Sequence, residues 1–368
     1  QPWEFRSKPS WQRLIIMLGG VSVNFILALF IYIGLSYIYP DNFQPIESVK
    51  GGFEITHPVL LEAGFKTGDK IVSYNNIPVE YIDDLSKSII IAESYQIERE
   101  GEVLNINLPI DFLGQLSSSN SEEKLFNLRR PIIIQKVQVD NPDTPEINEA
   151  SKNVKYNLLQ GDVIESINGI ETPYQDQLAA ILNNNKNRTI ETSILRDGMS
   201  RSKTLNVDEN GKLGIIFGAS NLDLINYGYI KNDSIKYNFI ESIPVGSNKF
   251  IYEVGSYVNQ FITIFTPSKG AYKGVGGFIA IGKIFPTTWD WHTFWHRTAL
   301  LSIMLAVLNL LPIPALDGGH VMFLLYEMVS GRKPSDKFME YAQTAGFLIL
   351  LALVLFANGN DIFKAIFN

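Results

Sequence analysis

Three long stretches without any charged residue constrain this chain more than any other feature. They cover residues 14–39, 298–316 and 341–360, which is 26, 19 and 20 positions. An α-helix rises about 1.5 Å per residue, so each stretch is long enough to cross the roughly 30 Å hydrocarbon core of a bilayer. Buried helices of soluble proteins seldom stay uncharged for so long. We therefore predict a membrane protein with three spanning helices.

The charges beside these stretches predict their orientation, because Lys and Arg are enriched in cytoplasmic loops. Basic residues lie before the first stretch and between the last two, at Arg6, Lys8 and Arg13 and at Arg332, Lys333 and Lys337. Asp41 and Glu47 follow the first stretch. We predict a cytoplasmic N-terminus, an exported segment from about residue 41 to about residue 296, and a cytoplasmic loop before the last span.

Composition excludes some partners and chemistries. The net charge is −7, and no block of Lys or Arg is present that would neutralise a phosphate backbone, so we expect no nucleic acid partner. The chain has no cysteine. Disulfides, thiolate zinc sites and cysteine nucleophiles are therefore excluded.

The exported segment contains an internal repeat without gaps. Residues 68–85 and 161–178 share nine of 18 positions, beginning with a Gly-Asp pair in each copy. Each copy reads as a Gly-Asp turn, a strand with alternating apolar residues, an Asn-containing turn and a helix. The repeat predicts two related, β-rich units.

Both copies resemble PDZ domains, with boundaries expected at 47–125 and 128–209. The resemblance rests on the string from Ala63 to Ile71 and on its counterpart from Leu158 to Ile164. The second copy has Tyr156-Asn157 where the first has Ala63-Gly64. PDZ domains add an extended peptide to a sheet edge, so extended peptides are expected partners, and a rigid spacer is the alternative. Residues 210–295 are expected to form an exported linker with amphipathic segments near the membrane.

Two places offer candidate metal ligands, and the first is a histidine pair. His292 and His296 have the i, i+4 spacing that presents two imidazoles on one helix face. Thr293 stands where a helix of this kind in zinc proteases carries its glutamate base, and tryptophans surround the pair. That composition is typical of an aromatic belt at the membrane surface, which is the interpretation we favour.

The second place is the segment from Asn309 to His320. Pro312 and Pro314 prevent a continuous helix, and Gly318-Gly319 permits close backbone approach. Asp317 lies in otherwise apolar surroundings, where a carboxylate costs roughly 2.5–3.5 kcal/mol at mid-membrane and needs a compensating cation. The alternative is a kinked helix in which Asp317 caps a helical run over 321–329.

The string Asn-x-x-Pro-x-Pro-x-Leu-Asp-Gly-Gly-His at 309–320 resembles the site-2 protease family of intramembrane zinc metalloproteases. Two PDZ-like copies between spans are similar to its regulator of sigma-E protease branch. The similarity extends to residues 5–13, to residues 19–25 with Asn24, and to residues 276–281. Val21 and Phe278 stand where the family has proline.

The resemblance implies a fold class and a function. The fold would be an α+β membrane protein with two exported domains between the first and second of three spans. Its parts would be residues 1–40 with the first span, 296–330 with the second span and the metal-ligand motif, and 331–368 with a cytoplasmic loop and the last span. The lipid bilayer is an expected partner whatever the function of the protein. The expected location is the bacterial inner membrane, with the PDZ-like copies in the periplasm.

The same resemblance assigns residues. Asp317 would bind Zn²⁺, Asn309 with Pro312 and Pro314 would position the substrate, and a supporting set would comprise Asn24, Gly318, Gly319 and His320. The printed chain contains no HExxH, the family's source of the other ligands and the base. We expect this chain to be the C-terminal portion of a zinc metalloendopeptidase that cleaves single-span membrane proteins, and to be inactive alone. A non-catalytic, membrane-anchored adaptor that binds peptides is the alternative.

Overall fold

A computed structural model describes residues 8–119, 121, 123–137, 153–286 and 288–367. The predicted cytoplasmic approach at residues 1–7 and a part of the second repeat copy, 138–152, lie outside the described residues. The chain divides into two compact units. The first comprises residues 1–42, 109–120 and 234–368, and the second comprises residues 43–108 and 121–233.

The first unit is helical. Its helices are α1 (Ser10–Ile38), α4 (Phe112–Ser118), α7 (Phe239–Ile264), α8 (Phe278–Lys283), α9 (Trp291–Leu310), α10 (Asp317–Ser330) and α11 (Asp336–Phe367). Within the described residues, α1, α9 and the part of α11 up to residue 363 are long and apolar enough to cross a membrane. This confirms the prediction of three candidate spanning helices. The prediction was possible because an uncharged run of this length can be read directly from the sequence.

The second unit consists of antiparallel sheets with short helices. The helices are α2 (Pro58–Glu62), α3 (Ile82–Ser88), α5 (Gln175–Asn184) and α6 (Asn221–Asn226). The strands are β2 (Phe53–Glu54), β3 (Lys70–Tyr74), β4 (Ile77–Pro78), β5 (Ser94–Arg99), β6 (Glu102–Asn107), β7 (Asn127–Leu128), β8 (Ile132–Val137), β9 (Val163–Ile167), β10 (Ile170–Glu171), β11 (Thr189–Arg196), β12 (Met199–Asn206) and β13 (Ile215–Phe217). Two further strands, β1 (Asp41–Phe43) and β14 (Asp233–Ile235), lie where the chain passes from one unit to the other.

Each repeat copy has its own sheet. The first has the order β4-β3-β5-β6, with β2 and β7 paired separately. The second has the order β12-β11-β9-β8-β13, with β10 on β9. Its core includes strand residues and one face of α5, which are Ile132, Ile134, Ile164, Ile167, Leu178, Leu182, Ile190, Ile194 and Leu205. Buried residues alternate along β11, as a period of two predicts, whereas three consecutive residues of β8, 132–134, are all buried.

The two repeat copies share the same side-chain contacts around the aspartate of the Gly-Asp turn. The buried Asp69 accepts two hydrogen bonds from Arg99 at 2.7 and 2.8 Å, and the backbone N–H of Lys66 donates to it at 2.8 Å. In the second copy Asp162 accepts two hydrogen bonds from Arg196, both at 2.6 Å, and one from the N–H of Leu159 at 2.9 Å. The Gly-Asp turn is therefore fixed to a strand end in the same way twice.

Asn157 explains how the second copy manages without the Ala-Gly pair. Gly64 in the first copy has φ +100°, and Asn157 has φ +53°. Asparagine enters this left-handed region more readily than other non-glycine residues. The carbonyls of Gly64 and Asn157 each accept a hydrogen bond from the arginine of their own copy, at 2.8 and 2.9 Å. The local departure in sequence leaves the turn geometry intact.

The sheets extend beyond the boundaries suggested by the repeat. In the first copy β7, at residues 127–128, pairs with β2. In the second copy β13, at residues 215–217, pairs with β8. Residues 210–295 therefore begin inside a sheet and then contain α7, a helix of 26 residues.

Candidate functional site

Helix α1 carries the contacts that organise the helical unit. Tyr39, the residue just after α1, meets His292 edge to face with ring centroids 4.9 Å apart, and the Ser302 hydroxyl donates to the Asn24 carbonyl at 2.9 Å. Arg13 and Glu327 form an ion pair at 2.5 Å. From the Tyr39–His292 contact to the Asn24–Ser302 contact, positions decrease along α1 as they increase along α9, so α9 runs antiparallel to α1. The start of α1 and the end of α10 lie at one end of the bundle.

The chain breaks between α9 and α10, as the prolines predicted. Helix α9 ends at Leu310, and Leu311 has extended backbone angles, φ −61° and ψ 143°. Pro312 and Pro314 carry no N–H. Two short-range hydrogen bonds, Ile313 N–H to the Leu311 carbonyl at 2.7 Å and Leu316 N–H to the Ile313 carbonyl at 2.8 Å, fold the segment into tight turns. Irregular backbone at membrane depth occurs where protein or a cavity surrounds it.

Both glycines after Asp317 are required by close backbone packing. A Cβ on Gly318 would overlap the carbonyl groups of Leu310 and Leu311. A Cβ on Gly319 would overlap Pro314 and the Ile313 carbonyl. The first turn of α10 therefore lies directly against the broken segment, and no side chain fits between them.

Asp317 is the first residue of α10, and the residue before it, Leu316, is the N-cap and makes no side-chain cap hydrogen bond. The capping alternative over 321–329 therefore does not describe this helix, which begins at Asp317 itself. Asp317 shares a helix face with Val321 and Leu324, at i+4 and i+7, and both of these side chains are buried. Asp317 itself is half-buried, and its carboxylate makes no hydrogen bond or ion pair with the described part of the chain.

The asparagines lie on the helices that flank Asp317. Asn309 follows the buried Ser302 and Ala306 at i+7 and i+3, on the face of α9 that bonds to α1. Asn24 lies on α1 and contributes its carbonyl to that bond. In chain order Asp317 lies between Ser302 and Glu327, which contact Asn24 and Arg13 of α1, respectively. Each asparagine is half-buried.

His320 is one helical turn beyond Asp317 and is half-buried. Its ring meets Phe323 edge to face at 6.3 Å. Helix α11 also reaches the broken segment, because a Cβ on Gly346 would lie 2.8 Å from the Ala315 nitrogen. No pattern in the sequence marks Gly346, since the small residue matters only through this contact.

The histidine pair lies at the other end of α9. The rings of His292 and His296 are stacked at 6.3 Å with an angle of 20°. Leu310 is 14 positions beyond His296, about 21 Å along the helix, so the pair and Asp317 cannot share one metal ion. Asp290 caps α9 by accepting the Thr293 N–H at 2.7 Å, and its hydrogen bonds with Thr293 lower the pKa of its carboxyl.

The exposed tryptophans near the pair, Trp289, Trp291 and Trp295, fit a membrane-interface belt.

The described residues contain no group of three His, Cys, Asp or Glu placed to hold a metal ion. Asp317 nevertheless fits the role of one ligand. The residue is half-buried on an inward helix face, its carboxylate has no partner among the described residues, and a cation is the usual compensation for such a charge. Oxygen, nitrogen and sulfur ligands all suit Zn²⁺, and further ligands would have to complete the set.

Sequence reasoning missed the Arg13–Glu327 pair, whose members are 314 positions apart. The available signal was Glu327 itself, a carboxylate in the otherwise apolar run over 321–329. It also missed the clamp at the end of α11, where the buried Asp361 accepts the N–H groups of Ile279 and Ala280 at 3.0 and 3.1 Å.

A bundle of candidate spanning helices, interrupted beside an inward-facing aspartate, defines a polytopic membrane protein with a carboxylate at a helix break. The model of peptidase family M50 matches residues 1–353. The chain therefore belongs to peptidase family M50, the site-2 protease family.

Individual relatives agree with this assignment. A Rickettsia conorii protein, whose name assigns it provisionally to the zinc metalloproteases, is 24% identical over 362 residues, covering 97% of this chain and 74% of its own length. A Campylobacter jejuni protein with a similar name is 30% identical over 241 residues, covering 61% of this chain and 62% of its own length. The regulator of sigma E protease of Haemophilus influenzae is 23% identical over 380 residues, covering 98% of this chain and 80% of its own length.

Proposed function

We propose that this protein is part of the catalytic machinery of a zinc metalloendopeptidase that cleaves single-span membrane proteins within the membrane. Family membership supports a zinc-dependent protease. The observation that carries the finer proposal is the position of Asp317, which is half-buried on the inward face of α10 at the helix break and has no partner among the described residues.

Each candidate residue has a role that its position supports. Asp317 supplies one negatively charged oxygen ligand to zinc. Asn309, on the α1-facing side of α9, offers both a donor and an acceptor to the backbone of an unwound substrate. Pro312 and Pro314 keep the intervening segment out of the helix, so that its backbone can lie beside an extended chain. Asn24, Gly318, Gly319 and His320 support the site through helix packing and the tight turn.

A zinc ion held there would polarise a substrate carbonyl and make water a stronger nucleophile. The remaining ligands and the general base are expected from the HExxH helix of the family. Catalytic zinc usually has three protein ligands, so Asp317 by itself should not retain the metal.

The test is Asp317→Asn in the full-length protein, purified in detergent. Asparagine keeps the shape of the side chain but removes the negative ligand, so bound zinc and cleavage of a model single-span substrate should fall together while the melting temperature changes little. Matched variants are His292→Ala and His296→Ala. Zinc that persists in Asp317→Asn but disappears in a histidine variant would move the metal site to the pair.

A second candidate function is a membrane-anchored adaptor that binds extended peptides. The observation in its favour is that β13 ends the sheet of the second copy and pairs only with β8 among the described strands. An unpaired edge is where an extended chain adds a strand. This proposal takes both repeat copies to be PDZ-like domains. Isotope-labelled segment 43–233 mixed with hydrophobic C-terminal peptides should show shifts confined to β13 and α5, and unchanged spectra would argue for a spacer.

The proposed location is a bacterial inner membrane, with the repeat copies in the periplasm and lipid around the spans. Support comes from the bundle, because the ion pair of Arg13 joins the start of α1 to the end of α10. A cytoplasmic N-terminus together with a cytoplasmic loop over 331–337 requires these two ends to lie on one side.

A further inference from the structure

The ion pair between Arg13 and Glu327 joins α1 to the helix that starts at Asp317. The Arg13 guanidinium donates to the Glu327 carboxylate at 2.5 Å and to the Lys8 carbonyl at 3.0 Å. Only 11% of the Arg13 side chain and 15% of the Glu327 side chain are exposed. Two long side chains lose considerable rotamer freedom in such a contact, so the geometry restricts both helices.

Each charge stands at the unfavourable end of its own helix. Arg13 is in the first turn of α1, where the helix dipole favours a negative charge, and Glu327 is in the last turn of α10, where it favours a positive one. Local helix energetics therefore disfavour both residues. Their pairing with each other is the contact in the structure that compensates, which ties the orientation of α10 to α1.

The pair and the glycines hold α10 at its two ends. Gly318 and Gly319 let the first turn pack against the broken segment, and Glu327 anchors the helix nine residues after Gly318, about 14 Å away. Rotation of α10 about its axis is the motion that this arrangement prevents. A rotation of about 20° would move an atom about 5 Å from the axis by nearly 2 Å, whereas metal–ligand distances tolerate only about 0.2 Å.

We propose that Arg13 is a positioning residue for Asp317, which holds Glu327 and thereby fixes the rotation of α10 that points the Asp317 carboxylate toward the metal. The inference rests on the proposed function, because it takes Asp317 to be a zinc ligand. It adds a residue from the opposite end of the chain that neither binds metal nor touches substrate.

The experiment measures zinc affinity of the full-length protein in detergent by competition with a chelator. Arg13→Gln and Glu327→Gln should each weaken zinc binding about tenfold, the lower end of the range for residues that orient a metal ligand. The double exchange Arg13→Glu with Glu327→Arg restores the pair and suits both helix dipoles, so affinity should return to within about threefold of the natural protein. Arg332→Gln, which removes an exposed charge in the next loop, is the matched control and should change nothing.

The outcomes separate this inference from the proposed function. If Asp317→Asn keeps full zinc affinity, the proposed function fails. If Asp317→Asn loses zinc while Arg13→Gln lowers only the melting temperature, the pair is merely structural and the inference fails. If the single variants do not accumulate, Arg13→Lys and the double exchange decide. Both proteins keep opposite charges at positions 13 and 327, so zinc affinity should survive in each, and its loss in both folded proteins would overturn the inference.

Discussion

The Asp162–Arg196 pair should be a main source of stability in the second repeat copy. Asp162 is 1% exposed and accepts three hydrogen bonds, two of them charge-assisted. Removing one member of a buried pair costs about 3–5 kcal/mol. In Asp162→Ala, Arg196 keeps its bond to the Asn157 carbonyl and is 13% exposed, so water can partly compensate it. We expect a loss near the lower limit, about 3 kcal/mol.

The assay is urea unfolding of segment 43–233, followed by circular dichroism because the segment contains no tryptophan. A loss of about 3 kcal/mol should also lower the melting temperature by roughly 6–12 °C in a chain of this size. Asp69→Ala makes the same change in the first copy. Its partner Arg99 is 23% exposed, so its loss should be similar or slightly smaller.

Asn157 provides the matched control for the turn. Asn157→Gly suits φ +53° and should stay within about 0.5 kcal/mol of the natural segment, because relief of backbone strain and the added chain entropy oppose each other. Asn157→Ala should cost about 1 kcal/mol. If Asp162→Ala costs less than Asn157→Ala, the turn conformation and not the ion pair holds this region, and the reasoning is refuted.

Three further predictions follow from the structure. Ser118→Cys should react with an impermeant thiol reagent in cells with a permeabilised outer membrane and Ser335→Cys should not, and labelling at 335 would contradict the topology. Gly318→Ala should lower the melting temperature of the detergent-purified protein sharply, whereas Gly282→Ala, with open space around its Cβ, should not; equal effects would refute the close packing. Burial lowers the pKa of His57, so below about pH 6.5 the unfolded chain binds a proton that the folded chain refuses. Segment 43–233 should therefore lose stability as the pH falls from about 7 to about 5. The loss should be smaller in His57→Asn, whose side chain keeps an acceptor for the Val59 N–H. Identical urea midpoints for the two proteins at each pH would count against this prediction.

The sequence alone determined the features that depend on local chemistry. Absence of charge over about 20 residues marks a spanning helix wherever it occurs, because the bilayer is the same solvent for every protein. The prolines at 312 and 314 predicted the helix break before Asp317, since a missing N–H acts at its own position. The Gly-Asp and Asn turns were readable for the same reason.

Tertiary structure decided what depends on distant partners. The sequence showed a departure at Asn157, and only the arginine from β11 showed that the turn survives it. Glycine is needed at 318 because of the carbonyls of another segment, and the structural role of Arg13 depends on its ion pair with Glu327. Hydropathy and turn chemistry are properties of neighbouring residues, whereas an ion pair across 314 positions depends on how the helices pack, which no local pattern records.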